Sequence, residues 1–238
     1  MKQLFENNTF KILLGINIAL FFLAFLFQLI TGEFQSFDLE FLSLTGIFST
    51  KLIERGELWT LLTANFVHYD ILHFGFNIYA LYALGKLVDN FYGYKTLFIT
   101  YILSGLLASI FTYGYSYVID EPISSLGASG AIFGLLGLLV SGTLKGNNLP
   151  FETKSFYPTL LIAILISLLP QVNLWAHVGG FISGFLLGYF IKPKIGYAFF
   201  EKEENLINTL FYISLGIFVI AFFAFVINFF NILLFAEI

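Results

Sequence analysis

The sequence predicts an all-α membrane protein that crosses the bilayer several times. Three observations carry this. Hydrophobic residues make up 58% of the 238-residue chain and charged residues 11%, whereas soluble domains are about a quarter charged. Mean hydropathy is +0.89. Apolar runs long enough to cross a bilayer, or nearly so, fall near 11–30, 71–89, 95–118, 128–144, 155–170, 174–191 and 207–234. Cysteine is absent, which excludes disulfides, thiol chemistry and thiolate metal sites.

The first run, Phe10 to Ile30, exceeds the h-region of a signal peptide and has no small-residue cleavage site, so it reads as a retained helix. A long loop follows. The second run begins in "NFVHYDILHFGFN", the fourth in "GASGAIFG" and the sixth in "WAHVGGFISGFLLG". The third, between Lys95 and Val118, leads to a loop with Asp120 and Glu121. The charged stretch "KEEN" at 202–205 reads as a solvated loop, and the seventh run offers only Asn228 and Asn231 as polar features. No internal repeat is evident, so an inverted-repeat transporter has no direct support.

The basic residues orient the chain. With a cytoplasmic N-terminus, Lys2, Lys11, Lys86, Lys95, Lys145, Lys154, Lys192, Lys194 and Lys202 all lie inside. Only Lys51 and Arg55 lie outside, and the positive-inside rule selects this arrangement. Glu237 and the C-terminus are then external. The second, fourth and sixth helices all run from outside to inside, so their starts lie at one level.

All three histidines of the chain fall at those starts. His68, His73 and Asn77 belong to the second, Ser129 to the fourth and His177 to the sixth. Strongly polar groups at membrane depth are expensive and usually face a cavity. The fourth helix, from Ala128 to Leu144, spans roughly 25 Å, less than a hydrocarbon core of about 30 Å. The irregular stretch "EPISSLG" must therefore descend to its start, which requires surrounding protein or water.

Gly180, Gly184 and Gly188 repeat every four residues on the face of His177. Gly130, Gly134 and Gly137 form a similar stripe beside Ser129. Small residues let helices approach closely, and packing these stripes together brings Ser129 towards His177. A neutral imidazole can take the proton of a serine and make it a nucleophile. Attack on a carbonyl needs donors for the oxyanion. The Ser129 amide, His68 and Asn77 are at hand. No carboxylate is placed to orient His177, so a Ser–His dyad is expected rather than a triad.

Taken singly, these residues have plainer roles. Ser129 alone reads as a packing residue, His177 as a core histidine and Asn77 as a tie between helices. A metal site of His68, His73 and Asp70 is conceivable, but H-E-x-x-H is absent and the segment has no second acidic residue. No metal and no cofactor are expected.

Together the residues resemble the rhomboid family of intramembrane serine proteases. "HYDILHFGFN" matches its H-x4-H-x3-N, "GASG" its G-x-S-G and "HVGGFISG" its H-x2-G-x3-G, in the family's order. The resemblance implies a six-helix catalytic core over 1–206 and an additional C-terminal transmembrane helix over 207–238, as in some bacterial members. It implies Ser129 as nucleophile, His177 as general base, His68 and Asn77 as oxyanion stabilisers, and His73 and Gly127 as supporting residues. It implies a membrane-dipping first loop from about Phe34 to Thr63 and a fifth helix that gates substrate entry. Its expected partners are the bilayer and membrane proteins with a transmembrane helix, not nucleic acid, in a bacterial inner membrane. Two departures stand out. Trp59-Thr60 replaces the Trp-Arg of many members, which puts the anchoring of the first loop in question. Phe133 replaces a tyrosine found in some, and its ring is still placed to stack on His177. A client-binding relative without activity would need a broken dyad. A small transporter whose polar groups bind an ion or solute at the midplane is the alternative class.

Overall fold

The computed structural model describes residues 9–31, 39–145, 161–170, 172–194 and 201–235. Lys2, Lys154, Glu237, the start of the expected fifth span and the segment 34–38 of the first loop lie outside the described residues. Helix α1 (Thr9–Thr31) leads to a loop with three short helices, α2 (Leu39–Thr45), α3 (Thr50–Glu54) and α4 (Thr60–Thr63). Then follow α5 (Ile71–Tyr92), α6 (Tyr94–Ile119), α7 (Ser129–Leu144), a helical segment α8 (161–167), α9 (Leu174–Phe190) and α10 (Glu201–Phe235). Four described helices, α1, α5, α6 and α10, are long and apolar enough to cross a membrane, and α7 and α9 are shorter apolar helices. The chain is therefore an integral, multi-pass helical membrane protein.

The core of the fold is α7 with α6 and α9 against it. Leu135, Leu138 and Leu139 of α7 and Ile99, Tyr101 and Ile102 of α6 are fully buried. The α7–α9 seam is backbone on backbone. A Cβ on Gly180 would run into the Gly130 carbonyl, one on Gly184 into the Gly134 carbonyl, and one on Gly137 into the Phe181 carbonyl. Gly188 meets the Leu138 carbonyl at 2.7 Å from the same hypothetical position. With no apolar driving force between helices in lipid, such close packing is the main source of their attraction. At 16 residues, α7 is only about 24 Å long, short of a hydrocarbon core of about 30 Å.

The irregular backbone above α7 is satisfied by the first loop. A two-residue strand β1 (Phe48–Ser49) pairs antiparallel with β2 (Ser124–Ser125), Phe48 opposite Ser125. Hydropathy does not predict this pair, which is only two residues long on each side. The Thr50 amide donates to the Ile123 carbonyl at 3.1 Å, and the Ile123 amide to the Thr50 hydroxyl at 3.2 Å. The loop is held in turn by α10. Asn228 donates to the Ser43 hydroxyl at 2.9 Å, and Ser43 to the Glu57 carboxylate at 2.5 Å. Thr60, at the place of the missing arginine, is fully buried and donates to the Glu57 carbonyl at 2.8 Å. Deeper in the bundle, Asn17 of α1 donates to the Tyr101 hydroxyl at 3.0 Å, and Tyr101 donates to the Asn65 carbonyl at 3.3 Å. That network fixes the turn Ala64–Phe66, which delivers His68.

Candidate active site

Ser129 is the first residue of α7, where backbone amides lack intrahelical partners and the helix dipole is positive. The approach to it depends on Gly127. Its φ is +114°, and a Cβ there would lie 2.7 Å from the His73 ring. Its amide donates to the Ala64 carbonyl at 2.9 Å, tying the descending segment to the turn before α5. Only glycine meets both demands at once.

His177 sits in the first turn of α9, whose start is capped by Asn173. The Asn173 side chain accepts from the Ala176 amide at 3.1 Å. Its amide group donates to Thr112 of α6 at 2.9 Å and to Ser125 of β2 at 3.0 Å. One asparagine thus fixes α9 against two other elements. An Asn just before an apolar run is a readable helix cap, but its two further bonds have no local signature.

The imidazole is held on three sides. Its Nε2 lies 2.8 Å from the Ser129 hydroxyl. Its Nδ1 lies 2.7 Å from the hydroxyl of Ser167, at the end of α8. The Phe133 ring stacks on its face, with centroids 4.0 Å apart and planes 12° from parallel. His177 is buried. Ser167 is the one polar side chain in the run 161–169, and sequence reasoning missed it.

The second group of polar residues lines the same place from α5. Asp70 caps α5 by accepting from the His73 amide at 2.7 Å, so its carboxylate is engaged at the helix start. Asn77 is buried, donates to the His73 carbonyl at 2.9 Å, and keeps a second N–H. His68 is buried between rings, 5.4 Å from both His73 and Phe74 by centroid. Its Nε2 accepts from the Ala128 amide at 3.4 Å. Burial first, then the neighbouring His73, pushes its pKa down to about 3, against a backbone contact with Phe66. His68 is therefore neutral at ordinary pH, and donation from Nε2 requires the other tautomer. The structure thus gathers Ser129, His177, Phe133, His68, His73, Asn77 and Gly127 at one level. Gly130, Gly134, Gly180 and Gly184 form the seam beneath.

The arrangement can deliver a serine oxygen, stripped of its proton by an imidazole, to an electrophile held near several N–H groups. The family profile described as the Rhomboid domain matches residues 55–194. The chain is 32% identical to RHOMBOID-like protein 5 of Arabidopsis thaliana over 160 residues, covering 64% of this chain and 50% of that protein. It is 32% identical to Rhomboid protease GluP of Bacillus subtilis over 206 residues, covering 84% of this chain and 38% of that one. It is 31% identical to the putative rhomboid protease YdcA of the same bacterium over 147 residues, 60% of this chain and 71% of that protein. The chain spans half the length or less of most of these curated relatives.

Proposed function

The chain belongs to the rhomboid family, and from that premise we propose that it is an intramembrane serine endopeptidase working through Ser129 and His177. The observation that carries the proposal is the 2.8 Å approach of His177 Nε2 to the Ser129 hydroxyl at the start of a short, centrally packed helix. The site's place among apolar helices supports a peptide bond within or near a transmembrane segment as the substrate.

In the first half-reaction the Ser129 oxygen bonds to the substrate carbonyl carbon while its proton passes to His177 Nε2. The carbonyl oxygen becomes an oxyanion, which the Ser129 amide, the free N–H of Asn77 and His68 in its Nε2–H form stabilise. The C–N bond then breaks, and His177 returns the proton to the leaving amine. In the second half, water attacks the ester and gives a proton to His177. The ester C–O bond breaks, Ser129 regains a proton, and the new carboxylic acid leaves. Neither a metal nor a cofactor enters these steps. A helical substrate must first unwind locally, since its carbonyls are otherwise engaged in hydrogen bonds. Helix-weakening Gly or Pro and a small residue before the cut are the expected preferences.

The lysine and arginine pattern supports an external cleavage site, with a cytoplasmic N-terminus and an external C-terminus. Residues 1–206 would form the catalytic core, and 207–238 an added helix that braces the first loop through Asn228. The bacterial inner membrane is the expected location. A fluorophosphonate probe tests the reading. Labelling of the wild type that disappears in Ser129→Ala is expected, and equal labelling of both would refute it.

A further inference from the structure

Resting on the reading of Ser129 and His177 as the reacting pair, we propose that Ser167 is a positioning residue for His177, so that the working unit is a chain of three side chains, Ser167–His177–Ser129. A serine hydroxyl has one proton to give and lone pairs to receive with. The Ser167 oxygen lies 2.8 Å from the Ala163 carbonyl and 2.7 Å from His177 Nδ1. In the proposed arrangement the Ser167 proton lies on the carbonyl, which only accepts. The Ser167 oxygen must then accept, and Nδ1 must be the N–H donor. A neutral imidazole has one N–H. Nε2 is therefore bare, and it is the atom that faces the Ser129 hydroxyl at 2.8 Å. One carbonyl on α8 thus sets the tautomer that a general base needs.

The same contact helps when His177 is charged. As Nε2 takes the Ser129 proton, the cation gains most from an oxygen already aligned on Nδ1–H. In Ser-His-Asp enzymes a carboxylate does this. A neutral hydroxyl does it more weakly, and no carboxylate among the described residues bonds to His177. Its burial marks the hydroxyl as placed. Ser167 is 4% exposed, while Ile162, Leu165, Ile166 and Leu168 around it are 43–63% exposed. The segment turns its apolar side chains outward and its single hydroxyl inward, onto His177. The i−4 bond to Ala163 alone would be satisfied in any orientation of α8, as it is internal to the helix. The bond to Nδ1 fixes the ring.

The test uses the full chain in detergent, with Ser167→Ala, Ser167→Thr and Ser129→Ala beside the wild type. Cleavage of a single-span substrate gives kcat and KM, thermal unfolding reports folding, and 15N-histidine NMR reports the His177 tautomer. Ser167→Ala should lower kcat about 10- to 100-fold, below the roughly 10⁴-fold cost of losing the orienting carboxylate in a Ser-His-Asp enzyme. KM should stay unchanged, and the variant should stay folded, with an unfolding temperature only a few degrees lower. Ser167→Thr, which keeps the hydroxyl, should restore kcat to within a few-fold. His177 should be the Nδ1–H tautomer in the wild type and in Ser129→Ala, and should lose that preference in Ser167→Ala. A Ser167→Ala enzyme with wild-type kcat overturns the proposal, as does an Nε2–H tautomer in the wild type. If Ser167→Ala unfolds, Ser167→Cys keeps the volume and weakens the acceptor, and wild-type kcat there overturns it equally. Failure of the protease reading is distinct, since it appears as a wild type that neither cleaves nor takes up the fluorophosphonate.

Discussion

Gly184→Ala asks whether the glycine seam sets the catalytic distance. The added methyl would sit within the contact radius of the Gly134 carbonyl oxygen, which belongs to the helix that carries Ser129. Backbone on both sides leaves no side chain to swing away. Ordinary carbon contacts begin near about 3.5 Å, so α7 and α9 must part by on the order of 1 Å or more. Added to the 2.8 Å between His177 Nε2 and the Ser129 hydroxyl, such a shift ends the hydrogen bond, which fails by about 3.6 Å. A displacement of about 1 Å at a reacting pair costs on the order of 100-fold in rate. Overpacking itself costs about 1–3 kcal/mol of stability. The assay is cleavage of a single-span substrate in detergent, with thermal unfolding in parallel. Gly15→Ala is the control, because a Cβ on Gly15 meets nothing within 4 Å. It should be active and no less stable. A Gly184→Ala enzyme that cleaves within two-fold of wild type would refute the claim that backbone contact sets the site.

Two further outcomes follow from the same geometry. Phe133→Ala removes the ring stacked 4.0 Å from the His177 imidazole and should cost about 3- to 10-fold in kcat, the worth of one aromatic contact. Phe133→Tyr keeps the stack and should stay near wild type, and an unchanged Phe133→Ala would show the stack to be idle. Asn228→Leu removes the donor to Ser43, itself bound to Glu57, and should lower stability by about 1 kcal/mol, seen as a lower unfolding temperature. Asn231→Leu, at an exposed position on the same helix, should leave it unchanged.

Hydropathy made the helices legible, because lipid demands long apolar runs with internally satisfied backbones. The site was legible because polar groups are rare in such runs, so three histidines and a serine at one depth stand out. The glycine stripes carried the pairing of α7 with α9, since a four-residue period of small side chains has few other uses in lipid. Ser167 escaped because a single serine hardly alters a run such as "LIAILISLL". Its partner lies across a turn, at a rotation that hydropathy does not report. The β1–β2 pair is two residues long on each side, too short for any period to register. The Asn228–Ser43–Glu57 chain joins residues 185 positions apart, and no local pattern encodes such a contact. Asp70, conceivable from sequence as a metal ligand, stands before an apolar run and forms the helix cap that such a place favours.

The most direct measurement of the central claim is cleavage of a single-span substrate by purified wild type, Ser129→Ala and His177→Ala, all shown to be folded. The account predicts a cut within or next to the transmembrane segment for wild type and none for either variant. Cleavage by the variants at the wild-type rate would contradict it.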